Sequence, residues 1–168
     1  MTFPVNCRAA VAAALLAIGL PVAGAAPVKG GSSEPDFAFP AEEAARAAAG
    51  LQASLDAGRS AEALEAAVRL SIARSLIDRA GVGAEMKLLD SVAQCLPQPW
   101  RGVGLLLEAT GLNQVYHSQP WVFDGRTLPL QPLSADPLEW SGAQFAAEVK
   151  RIVGEAYGEL DKGFAIPI

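Results

Sequence analysis

From Ala41 to His117 apolar residues recur at helical spacing, and the pattern is interrupted only where glycine or proline intervenes. The interruptions are Ala57-Gly58-Arg59, Gly81 with Gly83, and Pro97 with Pro99. Each is two or three residues of punctuation, too short for anything but a tight reversal, so consecutive helices must lie antiparallel. Much of the 51% hydrophobic content is alanine, which favours helix but buries little area per residue.

The segments follow from that punctuation. Glu42 and Glu43 open a first helix that runs to about Asp56, and their charge suits its N-terminal dipole. Ser60 is placed to cap a second, with Leu64, Val68, Ile72 and Leu76 at four-residue steps as its apolar face. Glu62, Glu65, Arg69 and Arg79 populate its other faces, and Gly81 and Gly83 end it. A third helix, about Ala84 to Leu96, carries Met86, Leu89, Val92 and Leu96. The fourth, about Trp100 to His117, holds only Arg101 and Glu108 as charged residues, and a helix apolar nearly all round belongs at the centre of a bundle.

The last helix has the clearest start. Ser141-Gly142-Ala143-Gln144 fits the capping box, and Trp140 and Phe145 take the two positions of a hydrophobic staple. Its apolar face continues through Val149, Ile152, Val153, Tyr157 and Leu160, opposite Glu148, Lys150, Arg151, Glu155 and Glu159. Between the fourth and last helices lies a long crossing rich in proline and aromatics. Trp121 and Phe123 alternate, so an extended strand would turn both to one side. Asp124-Gly125 allows a turn, Arg126 follows beside the aromatics, and Pro129, Pro132 and Pro137 hold the remainder extended. Trp121, Phe123, Arg126 and Trp140 are therefore the candidate residues, either straps folding the crossing onto the bundle or anchors for a partner.

The expected fold is all-α: about five helices in an antiparallel, short solenoid-like bundle, with one long Pro/aromatic-rich crossing loop before the last helix. Residues 163–168 begin a following segment, and 41–162 form the helical domain.

The N-terminus reads as a leader. Arg8 precedes the uncharged run Ala9 to Leu20, and Ala23-Gly24-Ala25 is a small-x-small cleavage pattern, so residues 1–25 are expected to be a signal peptide. That run is too short for a comfortable membrane span, so no span is expected after cleavage. Cys7 precedes the apolar run, which is the wrong side for a lipid-bearing cysteine. Residues 26–40 have linker composition, with Phe37 and Phe39 placed to pack on the first helix. The expected location is the periplasm, cell surface or medium.

Charge and composition exclude much. A net charge of −5, one unit more negative once Arg8 is removed, leaves no basic patch for nucleic acid. Cys95 shares a helical face with Leu88 and Val92 and reads as a buried thiol. His117 is the lone histidine, with too few neighbours for a zinc site and no Ser or Cys at nucleophile spacing. The carboxylates show no pairing and no Gly-rich loop follows a strand, so no catalytic residue, cofactor or metal is expected and the partner is a protein.

The order Tyr116, Trp121, Phe123, Arg126-Thr127, Leu128-Pro129-Leu130, Glu139-Trp140-Ser141 and Phe145 resembles the N-terminal helical region of bacterial alpha-2-macroglobulin-like proteins, the large versions of gut Bacteroidales above all. Leu55 to Leu64 is similar to the early part of that region, and the likeness spans about residues 50 to 168. The resemblance implies a cell-envelope protein of a protease-trapping family, in which cleavage of a bait segment triggers collapse around the protease. The family's thioester motif, Cys-x-Glu-Gln, is absent: Cys95 stands in Gln94-Cys95-Leu96-Pro97. The chain is expected to be a fragment or truncated product of such a protein, a non-enzymatic scaffold whose partner is the rest of its parent. The competing expectation is a free-standing secreted adaptor of the tetratricopeptide type.

Overall fold

A computed structural model describes residues 11, 40–77 and 82–163. The described elements are helices: α1 (Pro40–Asp56), α2 (Ser60–Ile77), α3 (Val82–Cys95), α4 (Trp100–Ser118), the short α5 (Pro120–Asp124), a 3-10 turn (Pro137–Glu139) and α6 (Gly142–Gly163). The all-α expectation holds, with five substantial helices in a bundle.

The turn between α1 and α2 shows how two residues of punctuation reverse the chain. Gly58 takes φ 71°, a left-handed conformation that glycine adopts without a Cβ clash. Its amide donates to the Leu55 carbonyl (3.2 Å) and the Arg59 amide to that of Ser54 (2.9 Å), closing a Schellman motif. Arg59 then caps α2, because its carbonyl accepts the first helical bond from Ala63 (3.0 Å). Ser60 lies one residue inside the helix and is not the cap. Glu43 near the start of α1 pairs with Arg69 late in α2 (2.8 Å), as antiparallel neighbours require.

The second correction concerns the buried face of α2. Its core residues are Ala63, Leu64, Ala67, Leu70 and Ala73, while Ile72 is 57% and Leu76 70% exposed. A four-residue step advances about 40° beyond a full turn, so a row that starts on the core at Leu64 has rotated by about 120° at Leu76. The alanine row stays inside, and the larger side chains wind out to the surface. Gly83 departs from expectation too, lying in the first turn of α3 and not ending α2, while Gly81 and Arg79 fall outside the described residues.

α4 is the hub, and glycine is what lets it be approached from two sides. A Cβ on Gly104 would sit 2.8 Å from the Ala93 Cβ of α3, and one on Gly102 would sit 2.7 Å from Leu160 and 2.9 Å from the Ala156 carbonyl of α6. Each glycine costs helix stability of about 1 kcal/mol relative to alanine. Here that cost is offset by packing that no side chain would permit. Arg101 reaches Glu155 (2.9 Å) and Gln98 reaches Glu159 (2.7 Å), joining the start of α4 to the end of α6. In α6 the expected face is corrected at its end, where Tyr157 is exposed and Glu159 is buried, held by Gln98 and Lys162.

Two apolar clusters result. The first gathers Ala47, Leu51, Leu55, Leu64, Leu70, Leu88, Val92 and Cys95 from α1 to α3, and the second Leu105, Leu112, Phe123, Trp140, Phe145 and Ile152 from α4 to α6. The expected leader and linker, with Phe37 and Phe39, lie outside the described residues except for Pro40, which opens α1, and Val11, which is helical and fully buried in the first cluster. Removal of a leader at Ala25 would withdraw that side chain. Among the described residues no helix is long and apolar enough to cross a membrane.

Gly104→Ala is expected to destabilise by about 1–2 kcal/mol, the overlap with Ala93 exceeding the gain in helix propensity. Gly158→Ala, whose Cβ would meet nothing within 4 Å, is expected to stabilise by about 0.5–1 kcal/mol. Urea denaturation of both variants measures the contrast, and equal shifts would remove glycine-dependent packing as the reason α4 is central.

Candidate functional site

The aromatic crossing is closed by its own ends. The Gln144 amide donates to Ser141 Oγ (3.3 Å) and the Ser141 amide to Gln144 Oε1 (2.9 Å), completing the capping box, while Gln144 Nε2 also donates to the Pro129 carbonyl (2.7 Å). Trp140 and Phe145 meet at 5.1 Å between ring centres, as the staple predicts. The Trp140 indole N–H donates to the Ser134 carbonyl (2.8 Å), pinning the loop between Arg126 and Asp136.

The four candidate residues part company. Pro120 starts a helical turn, so Trp121 and Phe123 do not share a side as an extended strand would place them. Phe123 is 2% exposed and stacks edge-on against Phe145 at 4.8 Å, whereas Trp121 is 73% exposed. Trp140 is buried. The Arg126 guanidinium lies 5.4 Å from the Phe123 ring centre and donates to the carbonyls of Leu138 and Trp140. Both carbonyls lie at the C-terminal end of the 3-10 turn, on the approach to α6. Pro137, expected to extend the chain, opens the 3-10 turn instead. Tyr116 donates to Asp124 (2.9 Å), a bond that holds the phenol above its usual pKa. Phe123, Arg126 and Trp140 thus close the strap, and only Trp121 faces outward.

A different surface carries exposed apolar side chains beside open grooves. The rotation of α2 leaves Ile72 and Leu76 as an exposed ridge: Ile72 borders two grooves of about 330 and 180 Å³, and Leu76 borders the smaller. The larger runs between α2, α3 and α4. Val68, Met86, Leu89, Leu107 and Val115 make its apolar walls, and Ser75, Thr110 and Gln114 its polar edge. Ile77, the last residue of α2, is exposed as well. Sequence periodicity assigned Ile72 and Leu76 to the core, and the signal that could have corrected it was the alanine row Ala63, Ala67 and Ala73 beside them.

Across α3 lies a smaller cavity of about 140 Å³ bordered by Met86, Lys87, Asp90, Glu108, Leu112, Trp140 and Glu148. Glu108 is 8% exposed, and its Oε2 has no hydrogen-bond partner. Burial first, and then Asp90, push its carboxyl up to about 7; Arg151 opposes them, and Glu148 and Glu155 add to the rise. Nothing in the sequence marked Glu108 beyond its being the second charge in an apolar helix.

Among the described residues no group of three or more His, Cys, Asp or Glu side chains is arranged to hold a metal ion. Compared with known proteins, the chain matches no family model, no curated protein and no solved structure.

Two outcomes follow from this geometry. Arg126→Ala is expected to cost about 1–3 kcal/mol by orphaning two carbonyls, while Trp121→Ala stays within about 0.5 kcal/mol, as thermal melts of both would show. Folding raises the Glu108 pKa, so its stabilising contribution is complete below about 4.5 and is lost as pH rises through about 7. The folded state should therefore weaken from pH 5 to pH 8 by a share on the order of 1–2 kcal/mol that vanishes in Glu108→Gln. Parallel denaturation curves for wild type and variant at both pH values would refute it.

Proposed function

We propose that the chain is a non-enzymatic helical interaction module that receives an apolar segment of a partner protein in the groove between α2, α3 and α4. The observation that carries this reading is Ile72 standing in solvent on the rim of an apolar-walled groove of about 330 Å³, with Leu76 exposed one turn further along the same helix. Burying one such side chain fully is worth about 1.5–3 kcal/mol, so two of them with the groove walls suffice for a specific contact. A contiguous apolar patch rimmed by polar residues is the usual mark of such a surface.

The resemblance of Tyr116, Trp121, Phe123, Arg126 and Trp140 to the helical region of macroglobulin-like envelope proteins supplies the setting. In that setting the chain is exported and serves as a scaffold for the remainder of its parent. The order of antiparallel hairpins, α1 with α2 and α3 with α4, favours a second reading: a free-standing tetratricopeptide-like adaptor using the same groove. Both readings place the partner on the same residues.

The test is a titration of the full chain with an amphipathic leucine–lysine helix peptide, followed by the 13C-methyl signal of Met86. Saturable shifts that weaken about tenfold or more in Ile72→Asp and Leu76→Asp, with unchanged circular dichroism, are expected. Binding that both substitutions leave intact would sink the assignment.

A further inference from the structure

The outer face of α6 carries a pattern that neither the groove nor the crossing accounts for. Ala143, Ala147, Lys150, Gly154, Tyr157 and Asp161 are all exposed, and they follow one another at steps of four, three, four, three and four residues. That is the a/d spacing of a helix that packs along another helix. The row lies opposite Phe145, Ile152 and Ala156, which belong to the second core cluster. α6 therefore has two seams, the inner one filled by the rest of the bundle and the outer one standing in solvent.

The outer seam has both a notch and a projection. A Cβ on Gly154 or on Gly158 would meet nothing within 4 Å. Each glycine weakens the helix, and no close approach within the monomer offsets that cost as it does at Gly102 and Gly104. Beside the notch at Gly154, Tyr157 holds its ring out at 61% exposure. An aromatic knob and a glycine hole on one face are complementary shapes.

Glycine does not say what comes close; the charges do. Along the flanks of α6, Arg151 pairs with Glu148 and Glu155, and Lys162 pairs with Glu159. Lys150 and Asp161, the two charged residues of the seam, enter no ion pair among the described residues. Eleven residues separate them, about 16 Å along the axis, too far to reach each other on one helix. A second α6 running antiparallel supplies a partner for each. With a two-fold axis midway between Glu155 and Ala156, residues equally far from that point on either side face each other across the pair. Gly154 and Tyr157 each lie one and a half residues from it, and Lys150 and Asp161 each five and a half. Lys150 and Asp161 also sit within about 20° of each other round the helix, so they meet on the same side of the seam. One register thus matches shape and charge together.

We propose that the outer face of α6 is a self-recognition surface, through which two copies of this chain pair antiparallel about a two-fold axis at Glu155–Ala156. The interface holds two contacts of Tyr157 with Gly154 and two ion pairs of Lys150 with Asp161, each made between copies. Positions a of one helix meet positions d of the other. The contact spans about three turns and its ion pairs stay near solvent, so the dimer is weak and salt-sensitive. The Ile72 groove is lined from α2, α3 and α4, so the pairing holds whether or not that groove takes a partner.

Sedimentation equilibrium of the full chain from about 5 µM to about 1 mM tests the pairing. Expected is a rise in average mass from 17.4 kDa toward twice that value, half complete at about 100 µM and weaker in high salt. Lys150→Glu and Asp161→Lys each set like charges face to face and weaken the dimer about tenfold. An equimolar mixture of those two variants associates more tightly than either alone, because every facing pair is then opposite in charge. Tyr157→Ser weakens it several-fold. All three substitutions are at exposed positions and leave the circular dichroism unchanged. The proposal is overturned if the chain keeps its monomer mass up to about 1 mM, or if Lys150→Glu or Tyr157→Ser pairs as wild type does. A mixture that associates no better than its components overturns the antiparallel register. Pairing abolished by Ile72→Asp but untouched by Lys150→Glu would put the second copy on the groove and overturn the assignment to α6.

Discussion

The close approach of α3 and α6 to the two faces of α4 is the constraint on which the rest depends. Gly102 and Gly104 lie two residues apart, so they point to different sides of the helix, and each admits one neighbour at backbone distance. With α3 and α6 drawn in, α4 is covered along the row Leu105, Glu108, Ala109 and Leu112, and both core clusters are built against it. The buried position of Glu108 is a direct consequence: it shares that row and is carried inside with it. The same geometry separates the apolar groove from the acidic cavity, because α3 stands between them.

The crossing is the second consequence. Once α4 and α6 are antiparallel, the chain must travel from the end of one to the start of the other, and the seventeen residues after α5 do so with only the 3-10 turn as regular structure. Backbone groups there need partners. Gln144 serves Pro129, Trp140 serves Ser134, and Arg126 serves Leu138 and Trp140. These side chains do for the strap what a ladder of main-chain bonds would do in a sheet. The concentration of aromatics is thus explained by closure.

How far this could be read from the residues depended on the range of the interaction. The capping box and staple involve Trp140 to Phe145 only, and the Schellman turn Ser54 to Arg59, so local chemistry sufficed for both. The helix count was legible for the same reason. The face of α2 was not, because Leu64, Val68, Ile72 and Leu76 look like one row unless the drift of a four-residue step is followed to its end. Trp121 and Phe123 were misplaced because Pro120 starts a helix where alternation suggested a strand. Glu108 could not be found at all: its burial is decided by α3 and α6, far away in sequence, and the glycines that bring them in carry no side chain to read.

The central claim is that the Ile72–Leu76 ridge is an open surface and not part of a filled core. Hydroxyl-radical footprinting of the monomeric chain tests it most directly, residue by residue. The account predicts strong labelling at Ile72, Leu76 and Trp121, and weak labelling at Leu70, Leu112 and Phe123. Protection of Ile72 and Leu76 in the isolated monomer would contradict it, because the groove would already be occupied by the chain itself.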